Sequence, residues 1–132
     1  MDNTALEIFK QGISNYSKTE KISSKGAASR INIWGKEKIQ LTTIDNFIKE
    51  KNIKKVDVIK VDIEGEESNA IAGAINTIKT HKPVLLISIY HNPKDFFEIK
   101  PLLEKLVPEY KFIIKKINPF SLNLEIMLIA YI

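Results

Sequence analysis

Cysteine is absent from this 132-residue chain, and arginine is nearly absent. Without a thiol the chain can form no disulfide bond, thiol nucleophile, cysteine-based zinc site or iron–sulfur site. Of its 20 basic residues, 19 are lysine and Arg30 is the one arginine. Because the planar fork of arginine is what suits phosphates and base edges, the net charge of +4 is weak evidence for nucleic-acid binding. We predict no nucleic-acid partner and attribute the abundant isoleucine, lysine and asparagine to a codon bias.

Long apolar runs and several well-known motifs are missing as well. No stretch approaches the ~18 apolar residues that a membrane span requires, so no membrane span is predicted. Residues 1–4 lack the basic and apolar segments of a secretion signal, which predicts a cytoplasmic location. The glycine-rich nucleotide-binding loops, the serine-hydrolase elbow and the zinc-protease motif are also absent.

What remains is the composition of a soluble globular protein, with 44% hydrophobic and 27% charged residues. The length predicts one domain over residues 1–132. The second half has clear periodicity, and the apolar run over 83–90 is typical of a strand buried on both faces. The main predicted elements are a short helix over 3–10, a helix capped by Thr43 or Asp45, a strand over 56–61, a helix containing 71–78, a strand over 83–90, a helix over 95–106 interrupted at Pro101, and strands over 110–117 and 124–132.

This order predicts an α/β fold, with parallel strands and a C-terminal antiparallel hairpin. In such sheets ligands bind in a crevice outside the carboxyl ends of the strands. Two groups of side chains stand at those ends, and they share one crevice if the two strands are neighbours. The groups are Asp62, Glu64 and Gly65 after the first strand, and Tyr90, His91 and Asn92 after the second.

The acidic group permits two interpretations. Asp62 and Glu64 can act as a general base or as ligand-binding carboxylates, or they can only stabilise the N-terminus of the following helix through its dipole. Gly65 permits a positive φ or the close approach of a ligand to the backbone. Glu66 and Glu67 extend the acidity, and we interpret them as favouring the first helical turn.

His91 also permits two interpretations, since an imidazole suits proton transfer at neutral pH but can equally be a strand-end residue bonded to the backbone. Asp62, Glu64 and His91 together are a sensible ligand set for a divalent ion. They lack the spacing of a dedicated metal site, so no metal is predicted. Lys60, two residues before Asp62, is expected to pair with that carboxylate or to reach the crevice.

Several segments in combination carry a family resemblance. Residues 56–67 contain a strand that ends in Lys60-x-Asp62-x-Glu64-Gly65, residues 72–74 place Gly-Ala in a helix, and Pro83 opens the next strand. Upstream, residues 41–47 and 28–31 match a Thr-hydrophobic-Asp lead-in and a short serine-containing strand. From about residue 12 to the C-terminus, the chain resembles the FkbM family of S-adenosylmethionine-dependent methyltransferases.

The resemblance implies a Rossmann-like class I methyltransferase sheet, S-adenosylmethionine as cofactor, and O-methylation of a hydroxyl on a sugar or natural product. It implies Asp62 and His91 as catalytic candidates, Glu64 and Gly65 at the cofactor, and Lys60 and Tyr90 at a small-molecule or glycan acceptor.

The family's glycine-rich loop and ribose-binding acid are absent, so we expect this chain to be the C-terminal portion of the domain, truncated at its N-terminus. Its exposed sheet would then be covered by a partner chain or a second copy. The alternative is a non-catalytic or truncated module that acts through assembly with a partner.

Overall fold

The computed structural model describes residues 5–23, 30–31, 34–118, 120 and 125–132. Within these residues the chain forms two four-stranded sheets and four helices. The first sheet has the order β1-β4-β2-β3, in which β1 pairs parallel with β4 and β2 pairs antiparallel with both its neighbours. Its strands are β1 (Gln11–Ile13), β2 (Lys18–Ser23), β3 (Arg30–Ile31) and β4 (Glu37–Thr42).

The second sheet has the order β5-β6-β8-β7 and carries the candidate site. Strands β5 and β6 are parallel neighbours, whereas β8 pairs antiparallel with both β6 and β7. The last strand therefore lies between β6 and β7. The strands are β5 (Val58–Val61), β6 (Val84–Ser88), β7 (Lys111–Lys116) and β8 (Ile126–Tyr131), and the helices are α1 (Ile44–Glu50), α2 (Glu67–Ala72), α3 (Ile75–His81) and α4 (Pro93–Leu106).

The core lies between one face of the second sheet and helices α2, α3 and α4. Leu85 and Ile87 of β6 are fully buried there, together with Ile78 and Leu103 from the helices. Strand residues alternate between the two faces of a sheet, and the other face is more open, because all three helices contribute to the same core. On that face of β6, Val84 is 36% exposed and Leu86 is partly buried, whereas Ser88 is buried. The prediction that the strand over 83–90 is buried on both faces is therefore confirmed only in part.

Two side chains near the N-terminus of α1 stabilise the starts of helices α1 and α3. Thr43 is its N-cap and accepts a hydrogen bond from the Asn46 amide at 3.0 Å. Asp45, the other cap candidate, instead stabilises the start of α3, where its two carboxylate oxygens accept hydrogen bonds from the amides and side chains of Asn76 and Thr77 at 2.7–3.0 Å. Thr43 and Asp45, two residues apart, thus stabilise the N-terminal turns of two different helices, α1 and α3.

The helix predicted through residues 71–78 is in fact two helices, α2 and α3, because the chain turns at Gly73. A Cβ at Gly73 would lie 2.3 Å from the carbonyl oxygen of Ser14, so the glycine allows the backbone of the N-terminal segment to pack directly against α2. Gly73 is therefore a point where two backbone segments approach too closely for any side chain to fit between them.

Two further local predictions are wrong. Helix α4 continues through Pro101 instead of breaking there. Pro101 and Phe97, four residues earlier, are both exposed, so the hydrogen bond that the proline removes lies on the solvent side, where water can replace it. The helix expected over 3–10 is absent from its described part, since residues 5–10 have no regular structure. Of the predicted strand at 28–31, only residues 30–31 lie within the described residues, and residue 124 of the strand predicted over 124–132 lies outside them.

Candidate active site

A cleft of about 610 Å³ opens between the first sheet and the carboxyl ends of β5 and β6. One wall is apolar and comes from β1, β2 and β4, and the other is acidic and comes from the turn after β5 and the residues after β6. The lining residues are Gln11, Gly12, Ile13, Ile22, Ile39, Asp62, Ile63, Glu64, Gly65, Glu66, His91, Asn92 and Pro93.

The acidic wall depends on an unusual turn. Glu64 and Gly65 both have positive φ, 58° and 104°, a backbone region that favours glycine. No described atom lies within 4 Å of the position that a Cβ of Gly65 would take. Glycine is thus required there by the backbone angle alone, and this side of the turn is open.

Glu67, the first residue of α2, holds this turn from inside. Its carboxylate is completely buried and accepts hydrogen bonds from the backbone amides of Ile63, at 3.0 Å to Oε1, and Gly65, at 2.9 Å to Oε2. A buried carboxylate is costly unless it is hydrogen-bonded, and these two donors satisfy one acceptor position on each oxygen. Glu67 therefore orients the segment that carries Asp62 and Glu64.

The same carboxylate anchors His91. Nδ1 of His91 lies 2.7 Å from Oε1 of Glu67, and the histidine side chain is only 7% exposed. Its other nitrogen, Nε2, faces the acidic turn, at 3.9 Å from Oδ1 of Asp62 and 3.8 Å from Oε2 of Glu64. Because β5 and β6 are paired neighbours, the two groups of predicted site residues meet in one cleft.

Lys60 and Tyr90 lie beside the cleft and outside its lining. The Lys60 side chain is on the open face of the sheet and pairs with Oδ2 of Asp62 at 3.6 Å. The Tyr90 ring contacts the His91 imidazole, with a centroid separation of 4.0 Å. Burial first, and then the negative charges of Asp62 and Glu64, raise the pKa of the Tyr90 phenol, which keeps that hydroxyl protonated.

Helix α4 begins at the edge of the cleft, where Oδ1 of Asn92 accepts a hydrogen bond from the Lys94 amide at 3.0 Å. Behind it lies Asp95, which is buried and accepts a hydrogen bond from the Ser68 hydroxyl. Burial is the main cause that raises the pKa of the Asp95 carboxyl, and the Ser68 hydrogen bond opposes it. The other oxygen of Asp95 has no hydrogen-bond partner among the described residues.

Asp62, Glu64 and His91 are a sensible ligand set for a divalent ion, but the closest set of donor atoms in the structure is different. One atom from each of Asp62, Glu67 and His91 lies within 4.8 Å of the others. Both oxygens of Glu67 already accept backbone hydrogen bonds, and Oε1 also contacts His91. The Glu67 carboxylate is thus engaged in holding protein groups, and we assign no metal here.

Of the six residues that sequence reasoning placed at the crevice, Tyr90 does not line the cleft, and the other five do: Asp62, Glu64, Gly65, His91 and Asn92. Sequence reasoning missed the role of Glu67, which it interpreted as a residue that favours the first turn of a helix. It also missed the β1 wall, Gln11–Ile13. The two further acids after Asp62-x-Glu64-Gly65, of which Glu67 is the second, were the available signal. The short irregular strands of the first sheet carry no comparable pattern.

A cleft at the carboxyl ends of neighbouring parallel strands is where an α/β protein binds its ligand, and here the cleft is bordered by carboxylates and an anchored imidazole. The Methyltransferase FkbM domain matches residues 3–118. The chain therefore belongs to the FkbM methyltransferase family.

The chain is also similar in structure to a crystal structure of methyltransferase FkbM from Methylobacillus flagellatus KT, with a TM-score of 0.71 and 25% sequence identity. The match covers 92% of this chain and 27% of that one, so the chain spans about a quarter of that structure's length. No curated protein matches the chain. Along the described ranges, every helix is too short or too polar to cross a membrane.

Proposed function

We propose that this chain forms part of an S-adenosylmethionine-dependent methyltransferase that O-methylates a hydroxyl group of a small molecule or glycan. The proposal extends to a Rossmann-like class I sheet, of which residues 1–132 are a single partial domain, and to a cytoplasmic location. Membership of the FkbM methyltransferase family supports the reaction class. The observation that carries the proposal is the convergence of Asp62, Glu64 and His91 on one cleft.

The residues of the turn after β5 fit the proposed cofactor. S-adenosylmethionine is a hydroxyl-bearing sulfonium cation, and Glu64 offers a carboxylate oxygen at the cleft while the side of Gly65 is open. We propose that these two residues border the bound cofactor. When bound, the cofactor supplies an electrophilic methyl group, and the protein must provide an oriented hydroxyl that loses its proton.

We propose that Asp62 and His91 perform that second task. Nε2 of His91 and Oδ1 of Asp62 are 3.9 Å apart at the cleft surface, so a hydroxyl bound between them would have two proton acceptors within reach. His91 is the better candidate for the base, because its orientation is fixed by a buried partner, whereas Asp62 is 40% exposed. Asp62 would then orient the hydroxyl and stabilise the protonated imidazole. Tyr90 and Lys60 would contact the acceptor from the margin of the cleft.

The test is methyl transfer from labelled S-adenosylmethionine by the full-length protein to a panel of sugars and hydroxylated small molecules. Asp62→Asn and His91→Ala should each lower kcat by about 10²–10⁴-fold, the usual contribution of a positioned acid or base. Asp57→Asn is the matched control, because Asp57 is an exposed acid that pairs with Lys55. Near-normal turnover in both site variants would overturn the assignment of these two residues.

Cofactor binding gives a separate test. Calorimetric titration of the chain with S-adenosylmethionine should show binding that Glu64→Gln weakens. Failure to bind, together with dimerisation in solution, would instead support a non-catalytic module that acts through assembly. The open face of the second sheet, where Val58 is 55% exposed and Ile113 is 46% exposed, is the surface that such an assembly would use.

A further inference from the structure

We propose that Glu67 is a positioning residue that sets the tautomer of His91 and, through the same carboxylate, the position of the turn that faces it. The inference rests on the proposed function, because it assigns to Glu67 a role toward the residue proposed as the base. Neither the family resemblance nor the interpretation of Glu67 as a helix-favouring acid predicted this role.

Three nitrogen atoms lie within hydrogen-bond distance of the Glu67 carboxylate. Oε2 accepts the Gly65 amide at 2.9 Å, Oε1 accepts the Ile63 amide at 3.0 Å, and Nδ1 of His91 stands 2.7 Å from Oε1. An ionised carboxylate only accepts hydrogen bonds, and two backbone donors already point at its two oxygens. The proton in the short contact with His91 must then come from Nδ1.

A proton on Nδ1 of His91 determines what its other ring nitrogen, Nε2, offers to the cleft. A neutral imidazole carries one proton, so a hydrogen on Nδ1 leaves Nε2 with a free lone pair. Nε2 is the nitrogen that faces Asp62 and Glu64 at the cleft. With the opposite tautomer the cleft would meet an N–H donor, which cannot accept a proton from a hydroxyl. Glu67 therefore presents the form of His91 that the proposed reaction needs.

Negatively charged side chains surround His91. The acids that face His91 are Asp62 and Glu64 from the turn and Glu67 from α2, and Asp95 of α4 also interacts with its charge. These carboxylates surround the imidazole that would take the proton of the bound hydroxyl. Glu67 alone among these acids bonds both to the turn and to His91, so it couples the two sides of the site across a sequence separation of 24 residues.

The tautomer can be measured directly, without any substrate. Nitrogen chemical shifts of isotope-labelled histidine distinguish the two neutral forms, and His81, at the C-terminal end of α3, is the internal reference. We expect His91 to carry its proton on Nδ1 in the unmodified protein, at a pH where the ring is neutral. A wild-type His91 that is neutral and protonated on Nε2 would overturn the proposal outright, and this measurement needs no variant to fold.

Glu67→Gln should then move a substantial fraction of neutral His91 to the Nε2–H form, because an amide NH₂ facing Nδ1 makes that nitrogen an acceptor. Glu66→Gln is the matched control, since Glu66 is the adjacent acid in the cleft lining and its carboxylate accepts a hydrogen bond from Asn69, with none from the turn or from His91 among the described residues. It should leave the His91 shifts unchanged. An unchanged tautomer in a folded Glu67→Gln protein would refute the positioning role.

Steady-state kinetics of methyl transfer test the same role of Glu67. Glu67→Gln should lower kcat by about 10²–10⁴-fold, the scale seen when a histidine base is held in the wrong tautomer, with KM for cofactor and acceptor within about threefold. An unchanged kcat would contradict the inference even where the tautomer is as expected. If no acceptor is methylated by the unmodified protein, the proposed function fails, whereas the chemical shifts still decide the tautomer.

Discussion

Replacing Gly73 with alanine tests the packing that joins the two halves of the chain. Gly73 has φ −80° and ψ 2°, angles that alanine adopts without strain. With open space around it, the substitution would stabilise the protein by about 0.4–1 kcal/mol, because it restricts the unfolded chain. The structure predicts the opposite sign, since a Cβ would stand 2.3 Å from the Ser14 carbonyl oxygen and 3.1 Å from the Cβ of Thr43.

The magnitude follows from how far the neighbours must move. Ordinary van der Waals contact with a Cβ begins at 3.4 Å, so the Ser14 carbonyl would have to retreat by about 1 Å, and it is fixed by the bond from the Ser14 amide to the Thr42 oxygen at 3.0 Å. Overpacking of this kind costs roughly 1–3 kcal/mol. After the gain from restricting the unfolded chain is subtracted, the midpoints of the two ranges give a net loss of about 1.3 kcal/mol in the free energy of unfolding.

Urea unfolding followed by circular dichroism measures this loss. Gly12→Ala is the matched control, because a Cβ there would meet a terminal carbon of the Leu41 side chain at 2.5 Å instead of a backbone oxygen, and a side chain can change rotamer where the hydrogen-bonded backbone of Ser14 cannot. We expect Gly12→Ala to lose less stability than Gly73→Ala. A Gly73→Ala protein as stable as the unmodified one, or more stable than Gly12→Ala, would refute the reasoning.

Two further predictions concern pH and stability. Burial acts to raise the pKa of Asp45, but hydrogen bonds from Thr77 and Asn76 outweigh it and lower the pKa. The contribution of this carboxylate to the free energy of unfolding is therefore complete above its pKa in the unfolded chain, and it is lost as the pH falls through its pKa in the folded protein. Asp45→Asn should cost about 1–2 kcal/mol at neutral pH and flatten the acid side of the urea-midpoint profile; an unchanged profile would contradict this. Burial raises the pKa of Tyr110 to about 12, so stability should fall as the pH rises from the unfolded value toward that point. Tyr110→Phe removes the 2.6 Å hydrogen bond to the Pro83 oxygen and should cost about 1 kcal/mol in the free energy of unfolding. It should also remove the step at the highest pH from a titration of tyrosine ionisation followed by phenolate absorbance. If that step persists, it belongs to another tyrosine.

Much of the second half of the chain is predictable from its sequence because the periodicity there has one physical cause. Residues that alternate or recur every three to four positions do so because they face one core, and β5, β6 and α4 lie close to their predicted positions. The errors occur where a tertiary contact overrides the pattern. The helix stops at Gly73 because another backbone packs there, and α4 continues through Pro101 because that side of the helix is exposed.

The first half is less predictable for a related reason. Its strands are short, with three residues in β1 and two described in β3, and they pair across the chain order, so that β1 meets β4. A strand of three residues has no periodicity to detect. Its contribution to the cleft depends on register with β4, which only the assembled sheet specifies.

The residues of the candidate site also differ in how well the sequence predicts them. Asp62, Glu64, Gly65 and His91 could be selected from sequence because the carboxyl end of a buried strand is a position defined by topology. The partner that orients them could not, because Glu67 looks like one of several acids at the start of a helix. What distinguishes it is complete burial with three polar contacts, and burial of a charge is tolerated only where the fold supplies donors. Glu67 therefore has a structural requirement and a candidate functional one in the same atoms, which is why the tautomer of His91, more than loss of stability, is the observation that separates them.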